Sequence, residues 1–281
     1  MSTSTGIALP SAQHPIALSA RSRWPLLRIA VVCWFGVAVI GQLIFAAYVV
    51  AVYGGAVAAG QMGLMNRVTP RGWIPGETLG NLVFGSHVLF TVVVVLGGLI
   101  QLLPPLRRRA PVLHRWNGRL VLLLAVVLSV GGLVMLLTRG TVGGFWQQAG
   151  TGLNGLVIAV CAAMAWRHAR GRRFDLHRRW ALRLFLSISG VWFFRVGLMA
   201  WLMIFRAPVG FDPKTFSGPF LTALAFAQFL LPLAVLELVL LAQTRPWVVL
   251  QRATALLLIV LTGLMALGIA GATMGLWLPR M

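Results

Sequence analysis

Of five histidines in the 281-residue chain, two stand in the same basic-aromatic setting, LHRWNGR at 113–119 and LHRRWALR at 176–183. An imidazole can exchange a proton near neutral pH or ligate a metal, and its two nitrogens can do different things. The arginines beside it make strong, directional pairs with carboxylate or phosphate oxygens. A second group of residues lies inside long apolar runs: Gln42, His87, Arg195 and Gln228. Polar side chains in such runs face a bundle interior or a water-filled cavity rather than lipid. Glu237 also lies in an apolar run, and Arg183 is the basic residue at the matching depth.

The elements that must hold these residues follow from composition. The chain is 59% hydrophobic and 10% charged, whereas soluble domains carry roughly a quarter charged residues. Its apolar blocks are long enough for α-helices to cross a hydrocarbon core of ~30 Å. The pattern predicts an all-α integral membrane protein with seven transmembrane helices, near 29–53, 79–103, 119–137, 150–167, 181–205, 219–242 and 253–278. The polar, Ser/Thr-rich residues 1–27 read as a disordered tail, and 28–281 as one transmembrane domain. Pro104, Pro105 and Pro111 should keep the second connection out of a helix.

A net charge of +20 would suggest nucleic acid in a soluble protein, but here the arginines sit between the apolar blocks. Seventeen basic residues fall on one side of the predicted bundle, among them Arg107 to Arg109, Arg115, Arg119, Arg170 and Arg178, and six on the other. By the positive-inside rule the amino terminus is cytoplasmic and the carboxyl terminus outside, in a bacterial inner membrane. The expected partners are the bilayer itself and anionic headgroups at the cytoplasmic loops, with no nucleic acid. Trp116 and Trp180 suit the headgroup level, which accounts for Arg and Trp in both motifs and leaves the repeated His open. A shift of 63 residues aligns little beyond the motif, so the echo is local rather than a repeat. Cys33 and Cys161 lie within apolar blocks with no C-x-x-C pair, and no disulfide is expected.

At ~1.5 Å per residue, Arg195, Gln228, Gln42 and His87 fall in one layer of the outer half, ~10–16 Å from the outer surface. Arg183 and Glu237 share a depth near the inner edge and are expected to form a structural ion pair. Asn154, Cys161 and His168 share a face of the fourth helix, as do His87, Thr91, Gly98 and Gln101 on the second. Gly271 and Gly275 form a small-xxx-small packing pair.

The motifs in order are His87; Gly98, Gln101 and Pro104; His114, Arg115, Gly118 and Arg119; His177, Arg178, Trp180 and Arg183; Arg195; then Pro232 and Glu237. This series resembles the bacterial polytopic membrane proteins catalogued as domain of unknown function 2306, over residues of about 80–242. The resemblance implies fold and membrane location and brings no established reaction. The chain departs from the family pattern at Val121, Ala181 and Leu233.

Three functional readings stand side by side. Arg195, His87, Gln228 and Gln42 could bind or transport a small anionic or carbonyl-bearing, quinone-like molecule. Alternatively His114 and His177 could be the axial ligands of one haem b near the cytoplasmic face; only His87 lies in the outer half, so a second haem lacks a ligand. The third is a non-catalytic partner or assembly subunit. No phosphate-cradling G-x-x-x-x-G-K-[ST], H-E-x-x-H or G-x-S-x-G occurs, and four acidic residues leave little material for carboxylate catalysis or for a metal site.

Overall fold

A computed structural model describes residues 25–140 and 142–281; residues 1–24, most of the expected tail, lie outside the described residues. The chain is all-α. Its helices are α1 (Pro25–Val49), α2 (Gly55–Ala58), α3 (Thr78–Gln101), α4 (Pro104–Arg109), α5 (Pro111–Arg139), α6 (Phe145–Arg170), α7 (Phe174–Ile188), α8 (Gly190–Phe205), α9 (Pro219–Thr244) and α10 (Val248–Ala272). A π-helical turn, Val50–Gly54, joins α1 to α2, and another, Thr273–Trp277, extends α10. Six helices are long and apolar enough to span a bilayer, and α7 with α8 makes a seventh if that bent pair is one span. Large apolar side chains such as Leu79, Leu137 and Val249 stand exposed on the helix exteriors, as a surface in contact with lipid requires.

The helices close into a circuit. α1 packs on α3 and α10, α10 on α8, α8 on α9, α9 on α6, α6 on α5, and α5 back on α3, while α7 lies against α6 and α9. Small residues set the closest approaches. A Cβ on Gly271 of α10 would press on Met203 and Met199 of α8, so the small-residue stripe seats α10 against α8.

Three details differ from the sequence expectation. The fifth span, expected unbroken over 181–205, bends by 53° at Ser189. Ser189 Oγ donates to the Phe185 carbonyl at 2.8 Å, a back-bond of the kind that bends helices. Asn154 Nδ2 donates to the Ser187 carbonyl at 3.2 Å, so backbone left over by the break is satisfied from α6. Second, the proline-rich connection contains the short helix α4, and α5 begins at Pro111. Proline is tolerated in a first helical turn, where no intrahelical N–H bond is lost. Third, the 54–78 connection is not open loop throughout. It continues α1 through α2 and forms a 3₁₀ turn, Met62–Arg67, whose Met65 is buried.

Candidate ligand-binding cavity

Two cavities lie between the helices toward the arginine-rich edge. The larger, about 1250 Å³, exceeds the ~300–1,000 Å³ usual for small-molecule pockets and is bordered by α1 and every helix from α3 to α10. Its walls are largely apolar, with Trp34, Phe35, Phe185 and Phe193 among them, and Arg107, Arg115, Arg119, Arg170 and Arg178 also border it. No carboxylate lines it, and none of those five arginines forms an ion pair among the described residues.

The smaller cavity, about 90 Å³, abuts the larger: Gln101, His114, Gly118, Leu122, His177, Ala181 and Phe185 border both. Gln42 and Ser189 complete its polar lining. The hydrogen-bond chain around it fixes which atoms remain free. Ser189 Oγ gives its proton to Phe185 and so accepts from Gln42 Nε2 at 2.9 Å, leaving Gln42 Oε1 buried without a partner. Gln101 Nε2 donates to the His114 carbonyl at 3.0 Å, and its Oε1 is likewise unpartnered. His177 Nδ1 lies 2.9 Å from the Ala165 carbonyl oxygen. A carbonyl only accepts, so Nδ1 carries a proton, and in the neutral ring the lone pair is on Nε2. His114 Nδ1 is buried and unpartnered. Most free polar atoms here are therefore lone pairs.

The local sequence explains this placement. His114 and His177 each sit in the first turn or so of a helix, α5 and α7, both of which pack on α6. Asn117 Nδ2 reaches the Gly97 carbonyl at 2.9 Å and, with the Gln101 bond, staples the start of α5 to the end of α3. On α9, Pro232 has no N–H to give the Gln228 carbonyl, and both residues border the larger cavity. The Gln228 side chain donates to the Ala225 carbonyl of its own helix.

The four residues expected in one layer do not share one space. Gln228 borders the larger cavity and Gln42 the smaller, while Arg195 and His87 border neither. Arg195 is half-buried over the Phe45 ring, 5.3 Å from its centroid. That ring belongs to an aromatic cluster with Tyr48, Tyr53 and Trp277, over which Met65 packs. The guanidinium makes no hydrogen bond or ion pair among the described residues. His87 rests against Gly132 of α5, where a Cβ would stand 3.3 Å from its ring. Arg183 Nε meets Glu237 Oε1 at 2.7 Å, with the guanidinium 4.7 Å from the Trp180 centroid. His168 is buried in α6 and borders neither cavity. Cys161 is buried in the α5–α6–α7 core.

One residue escaped the sequence reading. Arg139, at the end of α5, donates to the Arg71 carbonyl, Asn81 Oδ1 and Glu77 Oε2 at 3.1, 2.9 and 3.0 Å, and also to the Gly72 carbonyl. Its position at a span end reads as ordinary topology, and nothing local marks the backbone carbonyls that converge on it.

Searches of curated proteins and of solved structures find no match. A family model described as "Predicted membrane protein (DUF2306)" matches residues 84–240, which take in the whole His114–His177 region and most of the cavity walls, and the chain belongs to that family.

Proposed function

We propose that the protein binds an anionic amphipathic molecule in the larger cavity, its acidic end toward the arginines and its apolar body against the aromatic walls. One observation carries this reading: five arginines border an apolar cavity that contains no carboxylate. Unbalanced positive charge beside low-dielectric walls favours an anion strongly. The basic edge is taken as the cytoplasmic side of a bacterial inner membrane, following the positive-inside rule. A ligand whose polar end only accepts hydrogen bonds, such as an oxidised quinone, matches the arginines and not the lone pairs around the smaller cavity. Gln228 and Gln42 belong to this reading as wall residues.

Arg195 supports a second contact. A guanidinium within the span with no acceptor among the described residues favours an anion beside it, and His87 adds a further polar group in the same half.

The test fills the space. Ala181 borders both cavities, so Ala181→Trp in nanodiscs should abolish thermal stabilisation by long-chain acyl anions while leaving a monodisperse helical protein. Arg195→Gln should leave that stabilisation in place if the inner cavity is the site. Unchanged stabilisation in Ala181→Trp would overturn the cavity assignment, and its loss in Arg195→Gln alone would move the site outward.

A further inference from the structure

We propose that the occupant is an iron porphyrin, with His114 and His177 as its two axial ligands and the bordering arginines on its propionates. This rests on the cavity being the ligand site and names the class of ligand.

The argument begins with the repeated histidine. Headgroup anchoring explains arginine and tryptophan in both motifs, but it gives no reason for imidazole twice. The fold brings the two imidazoles from α5 and α7 to the borders of the same two cavities. Each therefore faces space rather than packed protein.

His177 is held as a ligating histidine is held. Its Nδ1–H is committed to the Ala165 carbonyl at 2.9 Å, which fixes the ring's orientation and leaves Nε2 with a lone pair. Metal-bound histidines almost always donate their other N–H to a carbonyl or carboxylate in this way, and the bond also raises ligand basicity. His114 keeps its buried Nδ1 without a partner, so its ring, unlike that of His177, is not tied to the backbone.

The remaining donors decide between a bare ion and a macrocycle. Among the described residues no group of three or more His, Cys, Asp or Glu could hold a metal ion. A protein-bound zinc takes three or four such ligands, whereas iron already held by four porphyrin nitrogens needs only two from the chain. Two histidines with no third ligand are what a porphyrin site requires and a bare-ion site lacks.

Shape and charge agree. A porphyrin is a large, flat, mainly apolar disc with two carboxylates at one edge. The larger cavity has the volume, the flat aromatic side chains of Phe185 and Phe193, and arginines with no competing carboxylate. The lone pairs of His177 and its neighbours suit a Lewis acid, where a carbonyl oxygen would meet repulsion.

The test uses the full chain expressed with ample haem supply and purified in mild detergent. Wild-type protein should show a Soret band, an α band that sharpens on dithionite reduction, and a pyridine haemochrome yield near one haem per chain. His114→Ala and His177→Ala should each cut haem content at least tenfold. His177→Met should keep haem with a shifted spectrum, which separates ligation from a folding defect. His168→Ala, at the same edge but outside both cavities, should leave the spectrum unchanged. Absence of a Soret band together with no saturable uptake of added hemin would overturn the proposal. So would unaltered spectra in both alanine variants. If long-chain acyl anions still stabilised that colourless protein, and Ala181→Trp removed the effect, the cavity reading would stand without the porphyrin.

Discussion

Arg139 and the cavity arginines occupy opposite edges of one bundle and are treated in opposite ways. Arg139 is nearly buried, with a side chain 7% exposed, and spends its guanidinium on a carboxylate, an amide oxygen and two backbone carbonyls. Arg107, Arg115, Arg119, Arg170 and Arg178 border a cavity lined by no carboxylate and make no ion pair among the described residues. The same side chain is a fastener at one edge and an unmet charge at the other. The contrast extends to neutral groups. Asn81 and Asn66 at the Arg139 edge form reciprocal bonds with Ile74 and Trp73 backbone, whereas Gln42, Gln101 and His114 keep buried atoms unpartnered. Buried polar groups in proteins are nearly always satisfied. The contrast among neutral groups is one of degree, since His87 Nδ1 and Trp277 Nε1, away from both cavities, are also buried without a partner; it is the arginines that divide the two regions.

Removing the fastener should give the largest effect. Arg139→Met removes one of two donors to Asn81 Oδ1, the donor to the Arg71 and Gly72 carbonyls, and the cation of half-exposed Glu77. Loss of one partner of a buried pair costs about 3–5 kcal/mol. Because Glu77 retains water, about 2–4 kcal/mol is expected here. Thermal unfolding in nanodiscs would read it, and hydrogen exchange should rise first across residues 60–77. Arg115→Met, by contrast, should shift stability by less than about 0.5 kcal/mol while weakening binding of an acidic ligand. Equal destabilisation by the two substitutions would erase the distinction between the edges.

A medium effect is expected where the two regimes meet. Gln42 crosses from α1 to the break at Ser189, giving one hydrogen bond while its Oε1 stays free. Interhelical side-chain bonds in membranes average about 0.6 kcal/mol and reach about 1.7. Gln42→Leu removes a made bond and an unmet acceptor together, so a loss of about 0.5–1 kcal/mol is expected. Loosened exchange protection at 187–190 should accompany it. A stabilised Gln42→Leu protein would mean that the unmet acceptor outweighs the bond to Ser189.

How much of this could be read from the chain depends on the range of the interaction. Spans follow from apolar length, a local property, so the all-α bundle was legible, as was the family resemblance. Depth along a helix is also local. It placed Arg183 level with Glu237, and the side chains meet at 2.7 Å. It likewise put Gln42, His87, Arg195 and Gln228 in one layer, yet these border different spaces or none. Depth says nothing about rotation around the helix axis or about which helices are neighbours. The bend at Ser189 was hidden for a related reason: a serine in an apolar run looks like any other, and its back-bond to Phe185 leaves a break whose freed backbone is satisfied by Asn154 arriving from α6. Arg139 was unreadable because most of its partners are backbone carbonyls, whose positions no residue type announces.

The smallest effect tests whether the Arg139 edge satisfies its groups even at full exposure. In the 206–218 connection Asp212 accepts from the Lys214 N–H at 2.9 Å and the Thr215 hydroxyl at 3.0 Å, and its backbone N–H bonds the Ser217 carbonyl. Those donors hold its carboxyl below the usual carboxylate range, the Lys214 N–H foremost. A folded-state value lowered in this way adds order to the turn above the unfolded carboxylate's range. That order is lost as pH falls through the folded value. Exchange protection of residues 212–217 should therefore be flat near neutrality and decline on acidification, with no matching change around the cavity. Asp212→Asn should start with weaker protection and show no such decline. If the wild-type turn kept its protection into strong acid, its order would have to come from the Asp212–Ser217 backbone bridge alone, and this edge would owe its closure to backbone geometry rather than to charge.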